Sequence, residues 1–576
     1  MENHDQCAQP PNSQYGNSSQ NDPDYFVIIK ELVKQREEHP VKSQSYLAFQ
    51  EQINTVYDQV RLQILNNDRR PRQAISFGTS GWRGVIGTDI FVKSVDLVTR
   101  AIIDMYGVID HNDDLKTALG VQSLAEAQQK GCVLGFDNRF GNEILANHIK
   151  AVLTGHCFHV HYAGESTTGT LSAAVMELKA AFSINLTPSH NPLQYGGFKF
   201  NAADAGPAAP VITDWITKRA NDLLDLPLPA PIPARPELCH ACDALQLWKS
   251  LVRKGRGGHG LDYESIMEQF CQRQDVSVVV DCVHGASRVH VDALFSGIKT
   301  PRLQFLRKQA DPTFGGIAPE PSTANLALLR NTLATIAEPL KFGVIMDPDA
   351  DRIRFTDQHT EISMNQFGAM AYHFLHEVKG KKGMVAKTVA TSNFANAIAI
   401  ALHEDVFEPR VGFKEFKPVI KEALVCFEES DGITVIGHTP EKDAYIGLLL
   451  ALDMVLTMSK TLGDYLAELQ QRYGLYVPDK DGVTVSQQGK ALTDTLAGLD
   501  RYKEGVVLEV NGKPRTIVKT ITIDGHKLIL DDDSWIMIRP SGTEPKIRFY
   551  VEARSHEGKD ALFAAARAML HELGLL

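Results

Sequence analysis

Ala180-Ala181-Phe182-Ser183-Ile184-Asn185-Leu186-Thr187-Pro188-Ser189-His190-Asn191-Pro192 carries an apolar strand into a corner bracketed by two prolines. Each proline fixes φ and lacks an N–H, so neither continues a β ladder. Ser189, His190 and Asn191 are left at the tip. A hydroxyl held at a rigid strand-to-loop corner is placed for nucleophilic work. An ordinary serine turn has the same composition, so Ser189 acquires a role only from its surroundings. Upstream, Cys132-Val133-Leu134-Gly135-Phe136 reads as a strand followed by Asp137-Asn138-Arg139, Asn142 to Leu153 as an amphipathic helix, Cys157 to Tyr162 as a second strand and Leu171 to Leu178 as a helix. Strand–helix–strand–helix–strand implies an α/β sheet with mainly parallel strands. Ligands of such sheets gather at the carboxyl ends of the strands, and Ser189 stands at one.

The alternation repeats downstream. Val276 to Val280 is a buried strand ending in Asp281-Cys282-Val283-His284-Gly285-Ala286, and Leu340 to Met346 contains another. A third unit opens near Gly380 with Met384-Val385-Ala386 and contains the long apolar helix Ala444 to Met458. Beyond Tyr473 the texture changes to strands at Val483–Val485, Leu508–Val510, Thr516–Thr522 and Ile547–Val551, closed by a helix over Lys559–Leu573. Tyr25 to Leu65 is helical, with Val27, Ile28, Leu32 and Val33, then Ile53, Val56, Val60 and Ile64, as its apolar positions; it is expected to pack on the first domain. The expected organisation is a disordered N-terminal arm over 1–23, domain I over 24–259, domain II over 260–376, domain III over 377–474 and domain IV over 475–576.

The chain has 576 residues, room for about three to five domains of about 100–200 residues each. It is 43% hydrophobic and 22% charged, a globular composition. Lys and Arg number 59 against 70 Asp and Glu, a net charge of −11, which argues against a general nucleic-acid binder. Eight cysteines form no disulfide framework. Cys239-His240-Ala241-Cys242 lacks the second pair that a zinc site uses, and we read it as a loop near a domain border. Gly255-Arg256-Gly257-Gly258-His259-Gly260 matches the dinucleotide pattern, but a helix precedes it where that fingerprint requires a strand; we read it as a domain linker. The N-terminus has no apolar leader and no window reaches the length of a membrane span, so the expectation is a cytoplasmic protein without membrane partners, a monomer or weak dimer.

Three clusters carry chemistry. Asp347, Asp349 and Asp351 alternate at i, i+2, i+4, which on an extended segment puts the side chains on one face. Three carboxylates forced together repel unless a cation lies among them, and oxygen ligands suit Mg²⁺ or Ca²⁺. An EF-hand is excluded: its sixth and twelfth positions would be Arg352 and Gln358. Arg539-Pro540-Ser541-Gly542-Thr543-Glu544-Pro545-Lys546-Ile547-Arg548 collects arginines, hydroxyls and exposed amides, the inventory of a phosphate cradle. Glu428-Glu429-Ser430 offers acceptors for sugar hydroxyls. Phe77-Gly78-Thr79-Ser80-Gly81-Trp82-Arg83-Gly84 reads as an anion-binding loop, and Tyr195-Gly196-Gly197-Phe198-Lys199 doubles back so that Lys199 faces the Ser189 hydroxyl. A cation, a phosphate cradle, hydroxyl-binding acids and a stiffly held serine together describe phosphoryl transfer on a phosphosugar.

These motifs, in this order from Phe77 to Tyr550, resemble the α-D-phosphohexomutases, most of all the bacterial phosphoglucomutases and phosphomannomutases. Asp311-Pro312-Thr313-Phe314-Gly315-Gly316 is similar to a further segment of that family. The resemblance implies an α/β fold of four domains, three related α/β domains and a smaller C-terminal α+β domain around a central cleft. It implies a phosphoryl group on Ser189, and Mg²⁺ held by Ser189, Asp347, Asp349 and Asp351. Glucose 1,6-bisphosphate would be the intermediate and activator. Lys199 matches the general acid or base, with Arg83, Arg352 and His190 near the transferring group. Thr79, Ser80, Gly412, Glu428, Ser430 and Lys442 match substrate contacts, and Arg539, Ser541, Gly542, Thr543 and Arg548 match the site of the non-reacting phosphate. The sugar loop lacks the histidine of many phosphomannomutases, which favours glucose over mannose. Phosphoglucosamine and phosphopentose remain alternatives. A phosphosugar-binding protein without catalysis is disfavoured, because every catalytic position keeps a competent residue type.

Overall fold

The computed structural model describes residues 23–78, 81–227, 230–541 and 546–576; the arm expected over 1–23 lies outside them apart from Pro23. The chain divides into two compact units, one ending at Arg61 and one running from Leu62 to Leu576. In the first, the Asp24 side chain accepts from the Phe26 and Val27 amides and starts the helix Tyr25–Glu37. Its buried face is Phe26, Ile29, Val33 and Arg36, so Val27 and Ile28, expected inward, point to solvent.

The second unit holds four sheets. The first comprises β1 (Phe77–Gly78), β2 (Gly81–Val85), β3 (Cys132–Phe136), β4 (Val160–Glu165), β5 (Phe182–Leu186), β6 (Tyr195–Ala202) and β7 (Cys239–Ala241), in the order β1-β2-β6-β5-β3-β4-β7. The second comprises β8 (Val276–Asp281), β9 (Leu303–Leu306), β10 (Leu340–Met346), β11 (Ile353–Thr356) and β12 (Glu361–Ile362), in the order β12-β11-β10-β8-β9. The third comprises β13 (Val385–Lys387), β14 (Val406–Phe407), β15 (Val425–Glu428) and β16 (Gly432–Val435), in the order β14-β13-β15-β16. The fourth is antiparallel: β17 (Val477–Thr484), β18 (Val507–Val510), β19 (Lys513–Ile521), β20 (His526–Leu530), β21 (Trp535–Pro540) and β22 (Lys546–Ala553), in the order β17-β22-β21-β20-β19-β18. β20 and β21 escape the sequence expectation. They lie against the helix-bearing core of that domain, with Leu528, Leu530, Ile536 and Ile538 packed beside Leu562, Ala566 and Met569 of the helix Gly558–Glu572.

The first three sheets share one plan. Three parallel strands stand in the same order, and the last of them reverses through a short loop into an antiparallel strand: β5 into β6, β10 into β11, β15 into β16. The three reversals are the segments holding Ser189, the acidic triplet and Glu428–Ser430. Their strands are buried on both faces, as β5, β8 and β15 show at every position, which parallel sheets covered by helices require. The helix Ala444–Met458 is buried almost all round and belongs to the core shared by the second and third domains. No single helix among the described residues is long and apolar enough to cross a membrane.

Two loop expectations are corrected. The glycine run is no linker: Gly255, Gly257 and Gly258 lie inside the helix Ala244–His259, which ends at Gly260 with φ +76°. A Cβ at Gly255 would fall 2.3 Å from the Gly437 carbonyl oxygen, so close packing, not flexibility, explains that glycine. Cys239–Ala241 is no loop either; it is the edge strand β7, parallel to β4.

Candidate active site

The serine corner is built by its neighbours. Ser189 is buried with φ +57°, a left-handed conformation that a non-glycine residue keeps only when its surroundings impose it. Thr187 Oγ1 accepts the Ser189 amide at 2.9 Å and donates to Asp137 Oδ2 at 2.6 Å. The Arg139 guanidinium donates to the carbonyls of Ser189 (2.7 Å), Pro192 (2.7 Å), Tyr195 (3.1 Å) and Asn191. Burial pushes the Asp137 carboxyl up to about 6, against the pull of Arg139 and Thr187. Asn138 donates to the Asp311 carbonyl at 3.2 Å and Arg139 lies over the Phe314 ring at 5.0 Å, which gives the Asp311–Gly316 segment its place. Asp137 and Arg139 carry no role in the sequence reading. Their signal was position: Asp-Asn-Arg stands at the carboxyl end of β3.

The glycines after the corner do not form a loose return. Gly196 and Gly197 are strand residues of β6, and a Cβ at Gly197 would fall 2.3 Å from the Thr187 carbonyl oxygen. The strand thereby lies against the corner, and Lys199, opposite Asn185 in register, is buried, not exposed. The glycine-rich segment near Phe77 is likewise a hairpin of β1 and β2, with Arg83 paired to Gly197 of β6. Thr79 and Ser80 lie outside the described residues.

The acidic triplet converges by a turn, not by extension. β10 stops at Met346, the Ala350 amide donates to the Asp347 carbonyl at 2.9 Å, and Ala350 takes φ +48°. Asp347 Oδ1 accepts the amides of Asp351 (3.1 Å) and Arg352 (3.0 Å). One oxygen from each of Asp347, Asp349 and Asp351 lies within 4.8 Å of the others, and all three residues are buried. Ser189 Oγ donates to Asp347 Oδ2 at 2.6 Å and lies 3.3 Å from Asp351 Oδ1. Lys199 Nζ is 2.6 Å from Asp349 Oδ2 and 3.0 Å from Asp351 Oδ2, and Lys442 Nζ is 3.1 Å from Asp351 Oδ2. Thr168 donates to Asp349 Oδ2 at 2.6 Å, whereas Asp349 Oδ1 is buried without a partner among the described residues. Burial and then the charges of Asp349 and Asp351 drive the Asp347 carboxyl well above its ordinary range. Burial acts the same way on Asp351, but Lys199, Lys442 and Arg352 overcome it and hold that carboxyl well below. Burial pulls Lys199 down, and Asp349 and Asp351 more than offset it, so its ammonium is held above the ordinary lysine range. All-oxygen donors, mutual proximity, burial and an unpartnered oxygen fit a hard divalent cation.

His190 Nδ1 is 3.4 Å from Ser189 Oγ, and burial followed by the Arg352 and Arg83 charges pushes its pKa well below the ordinary histidine value. So low an affinity for a proton, together with the long 3.4 Å contact, makes His190 a poor general base for the Ser189 hydroxyl.

The third reversal, Glu428–Asp431, is clamped from the second domain. Arg354 donates to Asp431 through Nη2 (2.7 Å) and Nε (3.2 Å), and the Ile353 amide reaches the Asp431 carbonyl at 2.9 Å. A Cβ at Gly432 would fall 2.3 Å from Lys442 Cδ, so Lys442 lies against this loop as well as the triplet. Burial pushes the Glu428 carboxyl up to about 7, with Lys442 opposing and Glu429 adding. Glu429 turns away: its Oε2 accepts from Thr388 (3.1 Å) and Thr391 (3.4 Å). Glu429 is thereby engaged by two hydroxyls of its own domain, whereas Glu428 is buried and Ser430 half-buried beside it. Asp443, which caps the helix after Lys442, pairs with His438 at 2.6 Å and accepts from Trp248.

Arg539 and Arg548 face each other across β21 and β22, and the Ser541 amide donates to the Lys546 carbonyl at 2.8 Å. Gly542 and Thr543 lie outside the described residues. Burial raises the Tyr550 phenol to about 12, with Glu429 adding and Arg539 and Arg548 opposing. Gly412, with φ +130°, precedes the turn Phe413–Phe416.

Four family models match in order, all described as phosphoglucomutase/phosphomannomutase: alpha/beta/alpha domain I over 74–225, domain II over 263–360, domain III over 363–473 and the C-terminal domain over 490–569. A probable phosphoglucosamine mutase of Methanothermobacter thermautotrophicus is 26% identical over 88% of this chain and 99% of its own length. A phosphoglucomutase of Staphylococcus haemolyticus is 25% identical over 83% and 90%. Among solved structures, a putative phosphomannomutase of Thermus thermophilus superposes with TM-score 0.67 at 25% identity, covering 87% of this chain and 99% of that one. The Paramecium phosphoglucomutase parafusin, in its open form, gives 0.69 at 20% identity, covering 88% and 96%. Fold and site define an isomerase-class phosphotransferase, an enzyme that moves a phosphoryl group within one sugar phosphate. The chain belongs to the phosphoglucomutase/phosphomannomutase family of phosphohexomutases.

Proposed function

We propose that this phosphohexomutase interconverts α-D-glucose 1-phosphate and glucose 6-phosphate through a phosphorylated Ser189 and a bound glucose 1,6-bisphosphate. The observation that carries the reading is the Ser189 hydroxyl, 2.6 Å from Asp347 Oδ2 inside a ring of buried carboxylates. Asp347, Asp349 and Asp351, with phosphorylated Ser189, would hold Mg²⁺, which when bound offsets charge on the transferring phosphoryl. A solved fungal N-acetylphosphoglucosamine mutase of similar fold is described in complex with a sugar phosphate and magnesium, and a variant of it with glucose 1,6-bisphosphate.

The chain's own residues divide the work. Arg139 and Thr187 hold the serine corner, so the phosphoryl carrier does not move with its load. Arg83 and Arg352 place guanidinium charge beside the carrier. Lys199, held protonated by Asp349 and Asp351, is set to donate a proton to the departing Ser189 oxygen or the sugar oxygen; accepting one requires that its carboxylate partners be drawn elsewhere first. Ionised Glu428 accepts from a sugar hydroxyl, Ser430 and Lys442 flank it, and Arg539, Arg548 and the Ser541 segment take the non-reacting phosphate. Thr79, Ser80, Gly412, Gly542 and Thr543 complete the substrate contacts.

Ser189→Ala is expected to fold normally and lose nearly all turnover, about 10³-fold or more. Intact mass after incubation with glucose 1,6-bisphosphate should show one added phosphoryl in the parent and none in the variant; substantial residual turnover would overturn the reading. A glucosamine phosphate is the second reading, favoured by the printed name of the archaeal relative. Comparing kcat/KM for glucose, mannose, glucosamine and pentose 1-phosphates decides between them.

A further inference from the structure

Asp524 lies in the turn between β19 and β20, and one of its oxygens serves two domains. Oδ2 accepts the Val411 amide at 3.0 Å and stands 3.3 Å from Arg539 Nη2. Val411 precedes Gly412 in the third domain, and Arg539 belongs to β21 of the fourth. The turn lies directly on the arginine strand: Gly525 has φ +90°, and a Cβ there would fall 2.4 Å from the Ile538 carbonyl oxygen and 2.7 Å from Arg539 Cβ. It is also pinned from the third domain. Lys527, three residues on and fully buried, donates to the Val389 carbonyl (2.8 Å), Glu408 Oε1 (3.1 Å) and Asn393 Oδ1 (3.2 Å).

Arg539 has more to give than Asp524 takes. Among the described residues its Nε is buried without a hydrogen-bond partner, and Arg548 stands opposite it with a second positive charge. The Asp524–Arg539 pair is itself partly exposed, 21% and 17%, so water and ions reach it. A carboxylate carries one charge to a guanidinium, and a phosphate dianion carries more charge and more acceptor oxygens in the same fork geometry.

We propose that Asp524 is an internal stand-in for the substrate's non-reacting phosphate: it holds Arg539 in the ligand-free enzyme and yields it to a phosphosugar, and so sets the affinity of that subsite and its preference for dianions. The inference rests on the phosphate role given to Arg539 above. Once displaced from the guanidinium, Asp524 keeps the Val411 amide, so the link between the third and fourth domains survives binding.

The test uses full-length enzyme carrying Ser189→Ala, so that no turnover occurs, and calorimetric titration with glucose 6-phosphate. Asp524→Asn keeps an acceptor for Val411 and removes the charge. It is expected to bind glucose 6-phosphate roughly two- to five-fold more tightly, the range for a partly exposed ion pair, and to lose more of that binding when chloride is added to the titration. Unchanged or weaker binding overturns the proposal. So does weakening in Asp524→Ala with no effect in Asp524→Asn, which would leave Asp524 a tether only. Arg539→Met separates the two readings. If it binds glucose 6-phosphate as well as the parent, the phosphate role of Arg539 falls and the Asp524 proposal with it. If it loses binding while Asp524→Asn is neutral, only the counter-ion proposal falls.

Discussion

Glu428 shows how burial turns one carboxyl into a pH-dependent contact. Its pKa of about 7 comes first from burial, with Lys442 pulling down and Glu429 pushing up. Protonated, it can present one donor; ionised, it can only accept, as the proposed contact with a sugar hydroxyl requires. Ionisation proceeds as pH rises through 7, so kcat/KM for the sugar phosphate is expected to climb between about pH 6 and 8. Glu428→Gln should lower kcat/KM by about 10- to 100-fold, the worth of a hydrogen bond to a charged group, and abolish that limb. A limb that survives the substitution would assign it to another group. The stability sign is opposite: a carboxyl raised in the folded state stabilises below its ordinary range and loses that contribution as pH rises through 7. The thermal-stability gap between Glu428→Gln and the parent should therefore move in the variant's favour from pH 5 to pH 8.

At the scale of single elements, the helix Ala244–His259 sets propensity against packing. Replacing a mid-helix glycine by alanine gains about 1 kcal/mol of propensity. At Gly255 the new Cβ would meet the Gly437 backbone oxygen at 2.3 Å, and overpacking against backbone costs about 1–3 kcal/mol or more. Gly255→Ala should lower the thermal midpoint by several degrees, whereas the same change at Gly257, which has open space, should raise it slightly. Calorimetry on both variants measures the contrast. The contrast also marks what could be read beforehand. Strand–helix alternation was legible because apolar runs and periodicity are local. The glycine helix, the strand β7 and the turn at Ala350 were not. Gly255 is explained by a carbonyl 182 residues away in the chain, β7 by pairing with β4, and the left-handed φ of Ala350 by a site that needs three carboxylates at one point. The acidic triplet was found from residue type, yet its geometry was missed, since alternation suggests an extended strand and nothing local announces the turn. Arg139 was missed for the same reason: its four carbonyl partners are spread over residues 189–195.

Across the whole second unit, the contact between the third and fourth domains has an apolar plate and a polar pin. The plate is Val389 and Ala390 against Trp535, Met537 and Tyr550. The pin is Lys527, whose pKa burial and Lys387 lower to about 8 while Glu408 and Glu552 oppose. Glu552 accepts the Asn393 amide (2.9 Å) and the Trp535 indole N–H (2.7 Å). Lys527→Met would leave the Val389 carbonyl without its donor, at about 1–3 kcal/mol for an unsatisfied buried acceptor, while Glu408 keeps Lys387 (3.3 Å) and Asn396 (3.1 Å). Because β20, β21 and β22 meet the third domain through this contact, the variant should, on the function proposed above, lose affinity for glucose 6-phosphate as well as stability. In the parent, glucose 6-phosphate should contract the small-angle scattering profile as the last domain closes over it. Identical profiles with and without ligand would count against closure, and a Lys527→Met enzyme with unaltered affinity against the pin's part in it.

The shared plan of the first three sheets has one more consequence. On the function proposed above, the phosphoryl carrier, its counter-charge and the recognition of the sugar ring occupy the same corner of three separate modules. On that reading, substitutions in the hairpin Glu428–Asp431 should change sugar preference while leaving phosphorylation of Ser189 in the first module in place.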